Sequence, residues 1–210
     1  MPKTEPFDQY TNEYEDWFVI NKYAFQSELN AIKKALPDKE DVVEIGIGSG
    51  IFAEPLGIIE GVEPSKAMRE RAVKKGIKVI DAVAEKLPYD DASKNGAVMI
   101  TTICFVDDVH KSFLEVNRIL KEGGFFIIGF VDENSPIGKE YLKHKNKNLF
   151  YKDATFFGTE EIYSILNETG FKITNTYQTI FGNIEEINRV QPVMDGFGQG
   201  SFVVIKAQKK

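Results

Sequence analysis

The sequence predicts an α/β protein built on a doubly wound, mainly parallel sheet. Three observations point there. Apolar runs of strand length alternate with amphipathic helical stretches through five rounds, the pattern of repeated strand–helix–strand crossovers. The first run, Asp41-Val42-Val43-Glu44-Ile45, leads directly into Gly46-Ile47-Gly48-Ser49-Gly50. Glycines at a strand-to-helix turn let a ligand approach backbone N–H groups. The alternation fails near the end, where two strands follow one another without a clear helix between them and can pair antiparallel.

Residues 1–22 are rich in aromatic side chains with acids between them. Tyr10, Tyr14, Trp17 and Phe18 share one helical face. That face either packs on the body of the protein or lies over a ligand crevice as a lid, and the two are compatible. Phe25, Leu29, Ile32 and Leu36 make an amphipathic helix that Pro37 ends. Residues 1–38 thus read as an N-terminal helical segment and 39–210 as the main domain. After the glycine loop, Pro55 and Gly57 permit only a short helix. The second strand covers 58–62, with Glu63 at its end and Pro64 stopping it. Ser65 caps a helix over 66–75 that Gly76 ends.

The third strand is 77–81, followed by a short turn to Tyr89. The fourth, 96–101, is apolar enough to be buried on both faces. Thr102-Ile103-Cys104-Phe105 leaves its carboxyl end, where ligands lie in open α/β sheets. Asp107 or Asp108 caps a helix carried by Val109, Phe113, Val116 and Leu120, which Gly123-Gly124 closes. The fifth strand is 125–131. Residues 132–157 read as an insertion, with lysines at 139–147 on a solvated helix face or loop. Thr159 caps the last helix, with Glu160 and Glu161 in its first turn and Gly170 at its end. Strands six and seven, at 171–179 and 201–207, flank a loop at 183–200. A compact domain rarely carries so long a loop without a use for it.

A chain of 210 residues suits one domain. A net charge of −6 argues against a nucleic-acid backbone as partner, because neutralising phosphates needs clustered Lys and Arg. The single cysteine, Cys104, excludes an internal disulfide framework and favours a reducing compartment. No apolar leader and no run of 18 apolar residues stands out, so neither secretion nor a membrane span is expected, and the setting is read as cytoplasmic. Two histidines and one cysteine do not make a tetrahedral zinc site, and no metal is expected.

The glycine spacing narrows the ligand. A dinucleotide fingerprint needs G-x-G-x-x-G, but here the glycines stand at 46, 48 and 50, with Ile51 next and Glu44 ahead. An acid so close suits a ligand with a positive group and is awkward for a pyrophosphate. Alternating glycines can also be a mere tight turn. Glu63 follows Gly46 by 17 residues, near the spacing of about 20 at which an acid takes a ribose diol.

Four motifs in order carry a resemblance: Glu44-x-Gly46-x-Gly48-x-Gly50; Glu63; Ala84-Glu85-x-Leu87-Pro88-Tyr89; and Glu115-Val116-Asn117-Arg118-Ile119-Leu120-Lys121-Glu122-Gly123-Gly124. Together they resemble the class I S-adenosylmethionine-dependent methyltransferases, in the small-molecule branch called methyltransferase domain 11. The resemblance covers residues 39–131 well. It implies a Rossmann-like seven-stranded sheet with an antiparallel last strand, and S-adenosylmethionine as cofactor, leaving as S-adenosylhomocysteine. By position it implies that Gly46, Ile47, Gly48 and Gly50 pass under the methionine part, with Glu44 near its amino or sulfonium side. Glu63, followed by Pro64, would take the ribose hydroxyls. Ala84 through its N–H and Glu85 through its side chain would meet the adenine edge, and Thr101 and Thr102 the methionine end. The chain departs from the family at Asn95-Gly96, where an acid is usual. It departs again at Ile103-Cys104-Phe105, where a His or Asn pair often stands, so no acceptor is carried over from a relative.

Methyl transfer from a sulfonium needs mainly in-line orientation and exclusion of water, the cofactor supplying the reactive group. If the acceptor arrives protonated, the candidate bases are Asp107, Asp132 and His110, although Asp107 also reads as a cap and His110 as a surface residue. Cys104 reads as a small buried side chain. Tyr10, Tyr14, Trp17, Phe105, Tyr151 and Phe157 could form an aromatic wall for a planar or cationic acceptor such as an amine. A quinone or phenol methyltransferase, a non-catalytic S-adenosylmethionine sensor and a nicotinamide oxidoreductase are the other readings. A monomer or homodimer acting on a small molecule is expected, with neither nucleic acid nor membrane as partner.

Overall fold

The computed structural model describes residues 3–38 and 40–210; residues 1, 2 and 39, at the edges of the expected N-terminal segment, lie outside the described residues. Three helices come first: α1 Glu5–Gln9, α2 Thr11–Ile20 and α3 Lys22–Ala35. The alternating part is β1 Val42–Ile45, α4 Ala53–Leu56, β2 Glu60–Val62, α5 Lys66–Lys74, β3 Lys78–Ile80, β4 Lys94–Ile100, α6 Val109–Ile119 and β5 Leu120–Val131. Then come α7 Pro136–His144, α8 Thr159–Glu168, β6 Phe171–Thr179, β7 Met194–Asp195 and β8 Phe202–Lys209.

The strands form one sheet in the order β3-β2-β1-β4-β5-β8-β6-β7. β1 to β5 pair in parallel, and β8 lies antiparallel between β5 and β6. The mixed sheet with its antiparallel last strand is therefore as expected, but it has eight strands rather than seven. The additional one, β7, is two residues laid on the edge of β6, too short to show any alternation in the sequence.

Helices cover both faces. Phe113, Val116 and Ile119 of α6 pack on one face with Ile162 and Leu166 of α8. Ile32 of α3, Ala53 of α4 and Ile137 of α7 pack on the other, joined by Phe18 of α2. Each such large side chain contributes roughly 1.5–3 kcal/mol by burial. The N-terminal helices thus share the core of the sheet. They are also tied to α5: Asp8 Oδ1 accepts from Ser65 Oγ at 2.7 Å and Ala67 N at 3.1 Å, and Arg71 bonds to Thr11 at 3.0 Å and to Asn12 and Glu15.

Several local expectations need correction. Helix α6 ends at Ile119, and Gly123-Gly124 lie inside β5. Leu120 already pairs with Lys94, and the register then shifts before Gly96 meets Phe125, with Gly123 at φ +70 where the strand bends. Thr159 is the first residue of α8 and makes no cap; Gly158 holds the cap position. Asp108, not Asp107, caps α6, accepting from Lys111 N. The lysine-rich stretch begins as helix α7, capped by Ser135 with Pro136 in its first turn. No described helix is long and apolar enough to cross a membrane.

The order puts β1 between β2 and β4, so the chain leaves β1 toward one side of the sheet and returns through β4 on the other. Loops at the carboxyl ends of those two strands part from one another, and a crevice opens between them.

Candidate functional site

The crevice begins where β1 stops. Gly46, Gly48 and Gly50 have φ of +69, +55 and +76, a region that disfavours any residue with a Cβ. At Gly46 a Cβ would stand 2.3 Å from Cγ2 of Thr102, so side chain and loop are mutually fitted. Thr102 Oγ1 is 3.2 Å from the Gly46 carbonyl oxygen and 2.9 Å from that of Ile100, and its hydroxyl can donate to either. The glycine loop is thereby fastened to the end of β4. Thr101 beside it carries φ +52 and donates its N–H to Gly129 O at 2.7 Å. A strained non-glycine residue of this kind costs on the order of 1–3 kcal/mol and tends to mark a working site.

Glu63 faces the loop from the end of β2. Its Oε2 accepts from Gly48 N at 2.9 Å and its Oε1 from Ser65 N at 2.8 Å. A carboxylate has about four acceptor positions, so two stay available to a pair of hydroxyls. Burial pushes its pKa up to about 6, opposed by those two N–H groups and by Arg69. Glu44 is 2 % exposed, and its Oε2 has no hydrogen-bond partner among the described residues. Burial first, then the charge of Glu63, holds its carboxyl well above the ordinary range. A buried acceptor left unmet costs roughly 1–3 kcal/mol, which a ligand's ammonium would remove.

The crevice spans about 760 Å³ when its open mouth is included, of which about 100 Å³ is well-defined room inside. Gly46, Gly48, Glu63 and Pro64 line it on the β1 and β2 side, and Ala84 and Glu85 lie at the turn after β3. Thr101, Thr102, Phe105 and Asp107 close the β4 side. Tyr14 of α2 and Phe7 of α1 also line it. Glu85 Oε1 also accepts from Asp107 N at 2.7 Å and Asp108 N at 3.1 Å, which joins the two loops. Glu44, Ile47 and Gly50 do not line the crevice, and Glu44 lies buried behind the loop. Ile47 is buried in the core, and a Cβ at Gly50 would press on Ile77 at 2.6 Å, so these two hold the loop's shape from behind.

A second, much smaller cavity, with room of about 20 Å³, shares Thr101 with the first and is lined by Cys104, Tyr141, Tyr151 and Phe157 among others. Its aromatic rings run on from the crevice. Phe7 meets Phe105 at 4.9 Å between centroids, Phe105 stacks on Tyr151 at 6.1 Å, and Tyr151 stacks on Tyr141 at 4.8 Å. Tyr14, Phe105, Tyr151 and Phe157 are thus brought to the two cavities. Tyr10 and Trp17 border neither. Tyr10 sits at the break between α1 and α2, and Trp17 packs edge-on against Phe18.

Of the three candidate bases only Asp107 borders the crevice. Asp132 is spent on structure: it accepts from Asn134 N at 2.7 Å and Thr159 N at 2.9 Å and holds the start of α8. His110 is exposed on α6, 3.8 Å from Glu168. Burial pushes the Cys104 thiol up to about 12, which keeps it an inert proton-bearing group. No cluster of three metal-ligating side chains occurs among the described residues.

Two features escaped the sequence reading. Phe7 reaches the crevice from a helix of five residues, too short for a periodic signal. Glu28 is 5 % exposed on α3, and burial raises its pKa to about 8. The signal was available, since Ala24, Ala31 and Ala35 flank it at helical spacing on one fully buried stripe.

Comparisons with known proteins agree with this layout. The methyltransferase domain family matches residues 43–128. A solved structure from Thermotoga maritima, a "SAM-dependent methyltransferase, possible histamine N-methyltransferase", is 47% identical, covers 98% of this chain and 99% of its own, and superimposes with a TM-score of 0.95. An uncharacterised protein of Methanocaldococcus jannaschii is 42% identical over 203 residues, 97% of this chain and 98% of its own length. A ubiquinone/menaquinone biosynthesis C-methyltransferase of Brucella anthropi is 40% identical over 74 residues, 33% of this chain and 28% of its own.

Proposed function

The chain belongs to the class I S-adenosylmethionine-dependent methyltransferases, with S-adenosylmethionine as its cofactor, and from that premise we propose that it methylates a small-molecule amine on nitrogen. The observation that carries the amine reading is the run of rings from Phe105 through Tyr151 to Tyr141, which begins at the crevice and lines the cavity beside it. Stacked aromatic faces hold a cationic or flat acceptor by cation–π and stacking contact. The Thermotoga maritima relative, whose name points to histamine, supports the same class of acceptor.

The residues present fit the cofactor. Glu63 keeps acceptor positions for the ribose hydroxyls, the unmet oxygen of Glu44 suits the ammonium end, and the glycine loop leaves room that side chains would fill. Ala84 and Glu85 would meet the adenine edge, and Thr101 and Thr102 the methionine end, with Pro64 beside the ribose. When bound, the cofactor supplies a methyl group on a sulfonium. The chain's own residues hold the acceptor in line and keep water out, with Phe7 and Tyr14 as the cover. Asp107, which borders the crevice, would take a proton when the acceptor nitrogen arrives protonated. We read the enzyme as cytoplasmic, with Cys104 reduced, and as a monomer or homodimer that needs neither nucleic acid nor membrane.

The test is transfer from methyl-labelled S-adenosylmethionine to pools of amines (histamine among them), phenols, quinols and carboxylates. Label should pass to the amine pool, with an N-methyl product by mass spectrometry. Transfer confined to phenols or quinols would establish the second reading, which the Brucella anthropi relative favours. Tight cofactor binding with no transfer to any pool would make the protein a sensor.

A further inference from the structure

The bend between β2 and α5 consists of Glu63, Pro64 and Ser65. A single side chain bonds the first two of its carbonyl groups. Arg69, on α5, donates from one nitrogen, Nη1, to the oxygen of Glu63 at 2.8 Å and to that of Pro64 at 2.8 Å. Its other terminal nitrogen, Nη2, donates to Asp81 Oδ2 at 2.7 Å, just past the end of β3. The side chain of Arg69 is 17 % exposed and that of Asp81 69 %, so the ion pair braces the guanidinium from the solvent side and adds little stability of its own. The inner hydrogens are spent on the bend.

The Pro64 carbonyl belongs to the same peptide unit as the Ser65 N–H, and that N–H donates to Glu63 Oε1 at 2.8 Å. A peptide unit is planar, so a bond that fixes its oxygen also fixes the direction of its hydrogen. A cation at the oxygen polarises the unit and strengthens the bond that the N–H makes on its other side. The proline ring limits φ at the centre of the bend, and Glu63 N donates to Ile80 O at 3.1 Å. Arg69 thus controls the donor that orients the Glu63 carboxylate, although it does not itself line the crevice. Lysine could not replace it, since an ammonium on a flexible stem lacks the planar fork that spans two carbonyls and a carboxylate.

We propose that Arg69 is a positioning residue for cofactor binding: through the Pro64–Ser65 peptide it sets the Glu63 carboxylate in the orientation that receives the ribose hydroxyls. The proposal rests on the ribose role of Glu63. The charge of Arg69 has a second effect. Burial raises the Glu63 pKa, and the N–H groups of Ser65 and Gly48, then Arg69, oppose the rise.

The test is calorimetric binding of S-adenosylhomocysteine, near pH 8 and on acidification through about pH 6. Arg69→Gln should weaken binding about tenfold near pH 8, where Glu63 is charged in both proteins. The midpoint at which affinity falls on acidification should move up by about half a pH unit, because the carboxylate has lost a nearby positive charge. Arg69→Lys, which keeps the charge but not the fork, should restore the midpoint and recover only part of the affinity. In a Glu63→Ala background, Arg69→Gln should add at most about a twofold loss, because the carboxylate it positions is gone. A merely structural arginine would cause the same loss in both backgrounds and leave the midpoint in place, and that result would overturn the proposal. Should Arg69→Gln fail to fold, wild-type affinity in Arg69→Lys would overturn it equally. Glu63→Ala binding as tightly as wild type would discard the ribose reading itself. A weakened Glu63→Ala beside an unaffected Arg69→Gln would keep that reading and discard the positioning role.

Discussion

Glu63 performs two functions with one carboxyl. It holds Gly48 and Ser65 by their N–H groups, and in the proposed binding mode it also takes the ribose hydroxyls. Its folded pKa of about 6 lies above the ordinary 4.5, so the native state favours the neutral form. Stability from this group is therefore fully present below pH 4.5 and declines by about 2 kcal/mol as pH rises through 6. Cofactor binding needs the charged form and runs the opposite way. Titration with S-adenosylhomocysteine should show affinity falling as pH is lowered through about 6. Glu63→Gln should bind roughly 10–100-fold more weakly, the equivalent of about 1.5–3 kcal/mol for a charge-assisted hydrogen bond, and should lose that pH dependence. Unchanged affinity in the variant would remove Glu63 from the ribose. This residue was legible because its distance from Gly46 and its place at a strand end are both linear features of the sequence. The left-handed backbone of Thr101 was not, since threonine has no preference for that region and only the packed sheet imposes it.

At the scale of elements, runs of apolar residues located β1, β2, β4, β5 and β8, because each is buried for most of its length. In contrast, β3 has no buried residue and β6 is buried only in part, and these two were marked by Gly76 and Gly170 just ahead of them. Element ends were less legible. Asp107 and Asp108 are the same chemistry one residue apart, and only the approach of Lys111 N separates them. The two readings of the N-terminal face turn out to be compatible, since Phe18 belongs to the core while Phe7 and Tyr14 line the crevice. What holds α1 in place is Asp8, which caps α5 from outside that helix by bonding Ser65 Oγ and Ala67 N. We expect Asp8→Ala to speed chymotrypsin cleavage within residues 7–18 several-fold. It should lower acceptor turnover more than S-adenosylhomocysteine affinity, with a stability loss of about 1 kcal/mol, as for a missing helix cap. Cleavage at the wild-type rate would show that α1 is held by its packing alone.

For the whole molecule, the parallel half of the sheet follows from alternation, and the right-handed crossover rule leaves few ways to wind it. The insertion of β8 between β5 and β6 joins residues far apart in the sequence, and the resemblance implied only that the last strand is antiparallel. The charges of three acids, one on α3, one on β1 and one just after β2, act on Tyr14: burial is the larger cause, and Glu63, Glu44 and Glu28 each add to raising its phenol pKa. All three acids have raised pKa values: near neutrality Glu28, at about 8, and Glu44, held well above the ordinary range, favour the proton-bearing form, while Glu63, at about 6, is mostly charged. A ligand that brings positive charge then behaves as a counter-ion displacing another counter-ion. We expect the site to work as a small ion exchanger, with H⁺ as the resident species and sulfonium or ammonium as the incoming one. Calorimetry of S-adenosylmethionine binding near pH 6.5, repeated in buffers of different ionisation heat, should register net proton release. A binding heat independent of buffer would show that no such exchange takes place. The cofactor loses its positive sulfur when the methyl group leaves, so the exchanger holds the spent molecule less firmly than the fresh one.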